Sequence, residues 1–293
     1  MRIASNQYQA TMNRALQDAN AGLAQVMQQM ATGNRLLQPS DDPIATMRLS
    51  RLASDDASID QYQSNITALQ SRLKNSESVL DSIQDGLHSA RDLLVWAADG
   101  SNTPADLNAM SGSLKSLHDS LLYLANSTDA EGHYLFSGTA SNQPTVDPSY
   151  NFLGNTATQQ VTVADQLTIS ANVSLPSIGG FLQQLNNLAT LLANPAITTA
   201  GVQGSVSAAI TALDGTLNTV SGTIGVLGGR QNMLQTLSDT QSAVKVSDEQ
   251  SELRLGQVDY GEASTRLNSY SIAVQATQKA YAKVSQLSLF SVI

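Results

Sequence analysis

The apolar residues near both ends of this 293-residue sequence fall on one seven-residue frame. In the first segment Met12, Ala19 and Val26 share one heptad position, and Leu16, Leu23 and Met30 share the other. In the last segment Leu267, Val274 and Tyr281 share one position, and Ala263, Tyr270, Thr277 and Val284 the other. Such spacing makes a narrow apolar seam along one side of a helix. A lone helix cannot bury a seam, because most helical stability comes from packing against another element. Nothing before Met12 adds a second apolar face, and the last seam reaches the end of the sequence. The two segments are therefore expected to pair as a coiled coil, with the chain leaving from one end of the molecule and returning to it. Both seams are diluted with Ala, Ser and Thr, so the pair alone should be weak. An ordinary bundle whose terminal helices happen to meet gives the same pattern.

The strongest periodicity lies further in. Ile59, Ile66, Leu73, Leu80, Leu87 and Leu94 occupy one heptad position, and Tyr62, Leu69, Ser76, Ile83, Ala90 and Ala97 the other. Heptads sustained over that length imply a helical rod of roughly 60 Å. Asp99-Gly100-Ser101-Asn102 breaks it, and Pro104 opens a helix with Leu107, Leu114 and Leu121 on one position and Met110, Leu117 and Leu124 on the other. A short connection between two such helices gives an antiparallel hairpin. Helical spacing returns at Phe181, Leu185, Leu188 and Leu192, and again from Val206 through Leu213, Val220 and Leu227 towards Leu255.

Punctuation fixes the boundaries. Gly33-Asn34 stops the first helix, since both residues tolerate the left-handed conformation of a helix end. Asp42 reads as an N-cap with Pro43 at the first helical position. A metal or acid/base role for Asp41 and Asp42 is the competing reading, but capping accounts for both. From Glu131-Gly132-His133 the chain reads as a turn entering a strand, and from there to Pro176 the period becomes two: Leu167, Ile169, Ala171, Val173 and Leu175 alternate with polar residues. Strict alternation marks a half-buried strand, and Ala164-Asp165-Gln166 reads as its hairpin turn. An insertion of about 40 residues is too small to be stable alone.

The expected fold is mainly α: an elongated rod of long antiparallel helices, paired terminal coiled-coil helices, and a small β-hairpin domain inserted at the tip. Residues 1–42 and 257–293 form the terminal domain, residues 43–135 and 177–256 the helical rod domain, and residues 136–176 the β domain. The insertion should be removable without unfolding the rod.

Composition narrows the function. The net charge is -9 without a basic stripe, which argues against nucleic acid and anionic membrane surfaces. No apolar run approaches the ~18 residues of a membrane span, and the first ten residues lack the apolar core of a secretory signal. Without cysteine there is no disulfide, thiolate metal site or cysteine nucleophile. His88 and His118 fall just off their seams and His133 in a turn, with no metal-ligand spacing. Gly225-Val226-Leu227-Gly228-Gly229-Arg230 lacks the spacing of a phosphate loop and reads as a helix distortion or close packing. No catalytic, cofactor or metal site emerges, and an enzyme is not expected.

Several segments resemble a known family. Met1-Arg2-Ile3-Ala4-Ser5, Ala31-Thr32-Gly33-Asn34-Arg35 and Pro39-Ser40-Asp41-Asp42-Pro43 resemble the start of the flagellin superfamily, and within it the hook-associated protein 3 family of hook–filament junction proteins. The run from Ser127 to Gly138 is similar to that family's entry into its β domain. Ile224-Gly225-Val226-Leu227-Gly228-Gly229-Arg230-Gln231-Asn232, Val258-Asp259-Tyr260-Gly261-Glu262-Ala263 and Leu287-Ser288-Leu289-Phe290 resemble its later signatures. Gln257 and Gly261 depart from the family's usual acidic residue and alanine. The resemblance implies an extracellular structural protein of the bacterial flagellum, exported by the flagellar type III apparatus. It implies assembly with copies of itself, with hook-associated protein 1 and with flagellin, and capture by an export chaperone before that. The seam residues Met12, Leu16, Ala19, Leu23, Val26, Met30, Ala263, Leu267, Tyr270, Val274, Tyr281 and Val284 are the expected self-assembly surface. A flagellin-type filament subunit and an exported coiled-coil tip protein of an injectisome are the alternatives.

Overall fold

A computed structural model of the chain describes the backbone of residues 2–290 and the side chains of residues 7–283. In chain order the elements are α1 (Arg2–Thr32), α2 (Pro43–Ala97), α3 (Pro104–Ala125), β1 (Gln160–Ala164), β2 (Leu167–Ser170), α4 (Ile178–Leu192), α5 (Thr199–Gly256) and α6 (Tyr260–Phe290). The protein is mainly α, as its heptads require. It divides into one unit built from the two chain ends, through Ser58 and from Ala243, and a second unit from Ile59 to Ser242.

Helix ends follow the local chemistry. Gly33 stops α1 with a φ of 74°, a conformation that costs glycine nothing. Asp42 caps α2 through its Oδ1, which accepts the Ala45 amide at 3.0 Å. Asp41 Oδ2 accepts the amides of Leu37 and Gln38 at 2.9 and 3.0 Å. Both carboxylates are thus occupied by backbone, but only Asp42 caps α2 as expected; Asp41 closes the turn that precedes the helix. At α3 the cap is fuller than the proline alone signals. Thr103 and Asp106 form a reciprocal capping box, which satisfies two amides that would otherwise lack partners.

In the second unit α2 and α5 run antiparallel. Gln63 meets Ser242, Glu77 meets Gln231 and Arg91 meets Asp214, in steady register. All the α2 seam residues from Ile66 to Ala97 are buried, Ser76 included. α3 folds back against α2 where Gly86 leaves room for Leu121; a Cβ on Gly86 would lie 2.8 Å from Leu121 Cδ2. α4 then runs antiparallel to α3, with Asn108 donating to the Leu192 carbonyl and Ser111 to that of Ala189.

The two-stranded sheet β1–β2 turns at Asp165-Gln166, with Gln166 at a φ of 56°. This is the expected hairpin, and its strands are shorter than the alternation suggests. After Ser170 the Ala171 amide still donates to Gln159 O, but the Gln159 amide turns to the Asn172 side chain and the ladder ends. Arg230 Nη1 donates to Ser170 O and Asn172 O, each at 3.1 Å. Leu167 is exposed while Ile169, Ala171, Val173 and Leu175 are buried. The stretch from Glu131 to Gly138 forms turns with isolated bridges, Thr128 to Tyr134 and Ser137 to Ser174, and not a strand. Asp129 and the nearby backbone set that geometry, the carboxylate accepting the amides of Glu131 and His133.

The hairpin lies along the flank of the α2–α5 pair. Asn65 donates to Thr162 O, Arg72 to Gln159 Oε1 and Gln241 to Val163 O. Val163, Ile169 and Leu175 share one core with Leu73, Leu80 and Leu227. The insertion is therefore a wall of the helical core, and the expectation that the helices stand without it does not follow from this packing.

Two sequence readings need correction. His118 is buried, not at the seam's edge. Its Nδ1 lies 2.8 Å from Asp119 Oδ1, and its ring meets Tyr150 edge-on at 5.4 Å. An adjacent carboxylate and an aromatic face make that position tolerable for an imidazole. The glycine run shows no close packing: a Cβ on Gly225, Gly228 or Gly229 would meet nothing within 4 Å, and α5 runs through it as α-helix.

Candidate self-assembly surface

In the unit formed by the chain ends, α1 and α6 run antiparallel, the pairing that their seams demand. The connection is closed by backbone. Asn34 and Gln257 form an antiparallel bridge, Arg35 N donates to Gly256 O at 2.7 Å, and Val258 N donates to Gly33 O at 2.9 Å. Tyr260 then donates its hydroxyl to Met30 O, the last carbonyls of α1 being free of intrahelical donors.

The seam is sealed at this closed end. Val26, Ala263 and Val258 are buried together, with Met30, Leu267 and Tyr270 packed against them. Ala19 is also buried. Met12, Leu16, Leu23 and Val274 are half-buried, and Tyr281 keeps 43% of its surface in solvent. The Val284 side chain lies outside the described residues. Burial thus fades along the pair away from the bridge. Further large apolar side chains stand off the seam altogether: Met27, Ile272, Ile44 and Met47 are each more than half exposed. Scattered single cases are normal on a protein surface, but one small unit that carries this many has apolar area available for a partner.

The polar residues that fix the closed end were not read from the sequence. Gln29 is buried, donates to Arg35 O at 2.6 Å and takes a long contact of 3.5 Å from Arg266 Nη2. Arg35 donates through Nε and Nη2 to Leu255 O, at 3.1 and 3.0 Å, and Nη2 reaches Asp42 Oδ2 at 3.4 Å. One guanidinium so caps the C-terminus of α5, where the macrodipole favours a cation, and ties down the N-cap of α2. The Ala45 amide, with Arg35 adding to it, holds the Asp42 carboxyl below its ordinary pKa. An arginine directly after a Gly-Asn helix stop is the signal that could have pointed to this role.

Among the described residues no cluster of three metal-ligating side chains occurs, and no helix is long and apolar enough to cross a membrane. What the geometry offers is a partly buried helix pair with a sealed end and an open one.

Comparison with known proteins places this arrangement. The bacterial flagellin N-terminal helical region matches residues 3–141, and the bacterial flagellin C-terminal helical region matches residues 210–293. The solved structure of a Vibrio parahaemolyticus protein assigned as flagellar hook-associated is 34% identical, covering 73% of this chain and 99% of that one, with a TM-score of 0.67. The chain belongs to the flagellin superfamily, among its hook-associated proteins. It is similar along its whole length to flagellar hook-associated protein 3 of Escherichia coli (strain K12), at 27% identity over 97% of this chain and 96% of that protein. Flagellar hook-associated protein 3 of Salmonella typhimurium is 26% identical over 99% of each. Hook-associated proteins are structural components of the flagellum and not enzymes, in line with the absence of any catalytic constellation in the sequence.

Proposed function

We propose that this hook-associated protein forms the adaptor zone between the hook and the flagellin filament, polymerising with copies of itself. One face of that zone meets hook-associated protein 1 and the other the first flagellin subunits. The chain reaches this place through the flagellar type III export apparatus, delivered by an export chaperone. The observation that carries the reading is the α1–α6 pair. Its seam is sealed near Val26, Val258 and Ala263 and open towards Met12 and Tyr281. Neighbouring subunits supply the burial that the open part lacks, so that ordering of the pair is linked to assembly. Full-length similarity to hook-associated protein 3 of two bacteria supports the place in the flagellum. The twelve seam residues from Met12 to Val284 are the proposed contacts within the tube.

Deletion of the gene tests the proposal. Electron microscopy should show hooks of normal length without filaments, and flagellin should accumulate in the medium. Full-length filaments on the deletion strain would overturn the junction role. Labelling that decorates the whole filament, not a short zone at its base, would favour a filament subunit.

A further inference from the structure

Resting on that proposed function, we infer that the start of α2 in one copy docks on the end of α5 in the next. Both surfaces belong to the unit formed by the chain ends, and both are helix faces without a partner. On α2, Ile44, Met47, Arg48 and Arg51 recur at the spacing of a single helical face. Ile44 and Met47 are 63% and 69% exposed. The opposite face, with Ala45 buried and Leu49 against Gly256, is already used inside the unit. Arg48 has no ion-pair partner among the described residues, and Arg51 reaches only Asp55, at 4.0 Å.

On α5, Val246, Glu249 and Leu253 form the matching stripe. Val246 and Leu253 are 52% and 57% exposed. Beside them opens a hollow of about 500 Å³, walled by Gly33, Asn34, Glu249, Glu252, Leu253 and Gly256. Neither Glu249 nor Glu252 has an ion-pair partner among the described residues. Arg254 lies about 100° round the helix from Leu253 on the side opposite Glu252, away from the hollow.

The two surfaces complement each other. One carries two apolar side chains with two arginines, the other two apolar side chains with two carboxylates. Each stripe spans eight residues, about two helical turns, so their lengths agree. A surface that mates with a different surface of an identical subunit makes a head-to-tail contact, which propagates into a ring or helix and does not close as a dimer. That is the geometry an adaptor zone needs. Apolar groups flanking paired charges also give such a contact its orientation. The occupant of the α5 hollow is accordingly the α2 face of a second copy.

Cross-linking in intact flagella tests this, because the chain contains no cysteine. Met47→Cys and Leu253→Cys are expressed singly and together in the same cells, and sheared flagella are treated with a short bismaleimide. Co-expressed single variants should give a cross-linked dimer that neither variant gives alone, and Met47→Cys/Leu253→Cys on one chain should give a ladder. Arg48→Glu should cut the mixed dimer at least tenfold, and adding Glu249→Arg to the partner copy should restore it. Helical circular dichroism of each purified variant verifies folding. Variants present in the flagella without a mixed dimer would overturn the docking while leaving the junction role standing. A dimer from Met47→Cys alone would mean a symmetric contact and would also overturn it. Absence of the wild-type chain from flagella would remove the proposed function itself, and the docking with it. A mixed dimer seen only in the cell, before export, and absent from sheared flagella would also overturn the docking.

Discussion

Gly22 of α1 lies beneath the ring of Tyr270 of α6: a Cβ on Gly22 would sit 2.6 Å from Tyr270 Cζ. The seam that the heptads describe is therefore not a uniform zipper. At this level a tyrosine on one helix fills the space that a missing side chain leaves on the other. Alanine at position 22 gains up to about 1 kcal/mol of helix propensity, but overpacking typically costs ~1–3 kcal/mol. Gly22→Ala should thus lower hydrogen-exchange protection of the α1 and α6 amides. In a Tyr270→Ala background the same change should raise it, and equal effects in both backgrounds would refute the contact.

The arginine clamp on the hairpin gives a second expectation. Arg230 holds two carbonyls with one nitrogen, and hydrogen bonds from charged donors contribute about 1.5–3 kcal/mol. Arg230→Met keeps the aliphatic stem and loses the donors. It should lower stability by about 2 kcal/mol, read as a drop in the denaturant midpoint without loss of helix at zero denaturant. A change within error would mean that water replaces the clamp at no cost.

Core and seam should respond differently to substitution. Leu80 is fully buried in the second unit, and a Leu→Ala change at such a site costs ~2–5 kcal/mol. Leu80→Ala should lower the main melting transition by several degrees. Leu267→Asp, on the terminal seam, should leave that transition in place and abolish incorporation into flagella. Loss of the main transition with Leu267→Asp would show that the terminal pair is part of the same cooperative core.

Acid should weaken the fold through its capping carboxylates. The Ala45 amide holds Asp42 below the ordinary 3.8, and the Ser101 amide does the same for Asp99. The Thr103 hydroxyl, His118 and the Asn151 side chain act likewise on Asp106, Asp119 and Asp147. Each pKa is lower in the folded chain than in the unfolded one. The stability these groups contribute is present above pH 3.8 and is lost as pH falls through their folded values. Melting temperature should decline below about pH 4, and Asp106→Asn should make the decline shallower. A curve for Asp106→Asn parallel to that of the unaltered protein would remove the α3 capping box as a contributor.

Much of this was legible because burial repeats with the helical period. The positions of the α2 seam from Ile66 to Ala97 are legible because α5 accompanies α2 in steady register over that length. Helix ends were legible where one residue does the work, as at Gly33 and Asp42. What escaped was set by residues distant in sequence. Arg230 looked like the end of a glycine run, and its carbonyl partners lie 58 and 60 residues away. His118 looked peripheral because Tyr150 and the chain around it cover a helix flank that heptad counting leaves open. Val258 seals the terminal pair from a position between two helices, where no periodicity operates. Leu167 fits the alternation, yet it is the strand's first residue and points past the core.

The open glycines of α5 give the hairpin a further consequence. Gly222, Gly225, Gly228 and Gly229 crowd two turns of helix and buy no packing, although each disfavours helix by about 1 kcal/mol against alanine. These turns should fray unless something outside the helix holds them. Arg230 follows directly and is anchored to the hairpin, while Leu227 and Leu234 are fixed in the core beneath. The hairpin, bonded to α5 at Arg230 and Gln241, thus acts as a splint. It sets the stiffness of a helix whose own sequence would let it bend, and a load that pulled the hairpin away would soften α5 at that point first.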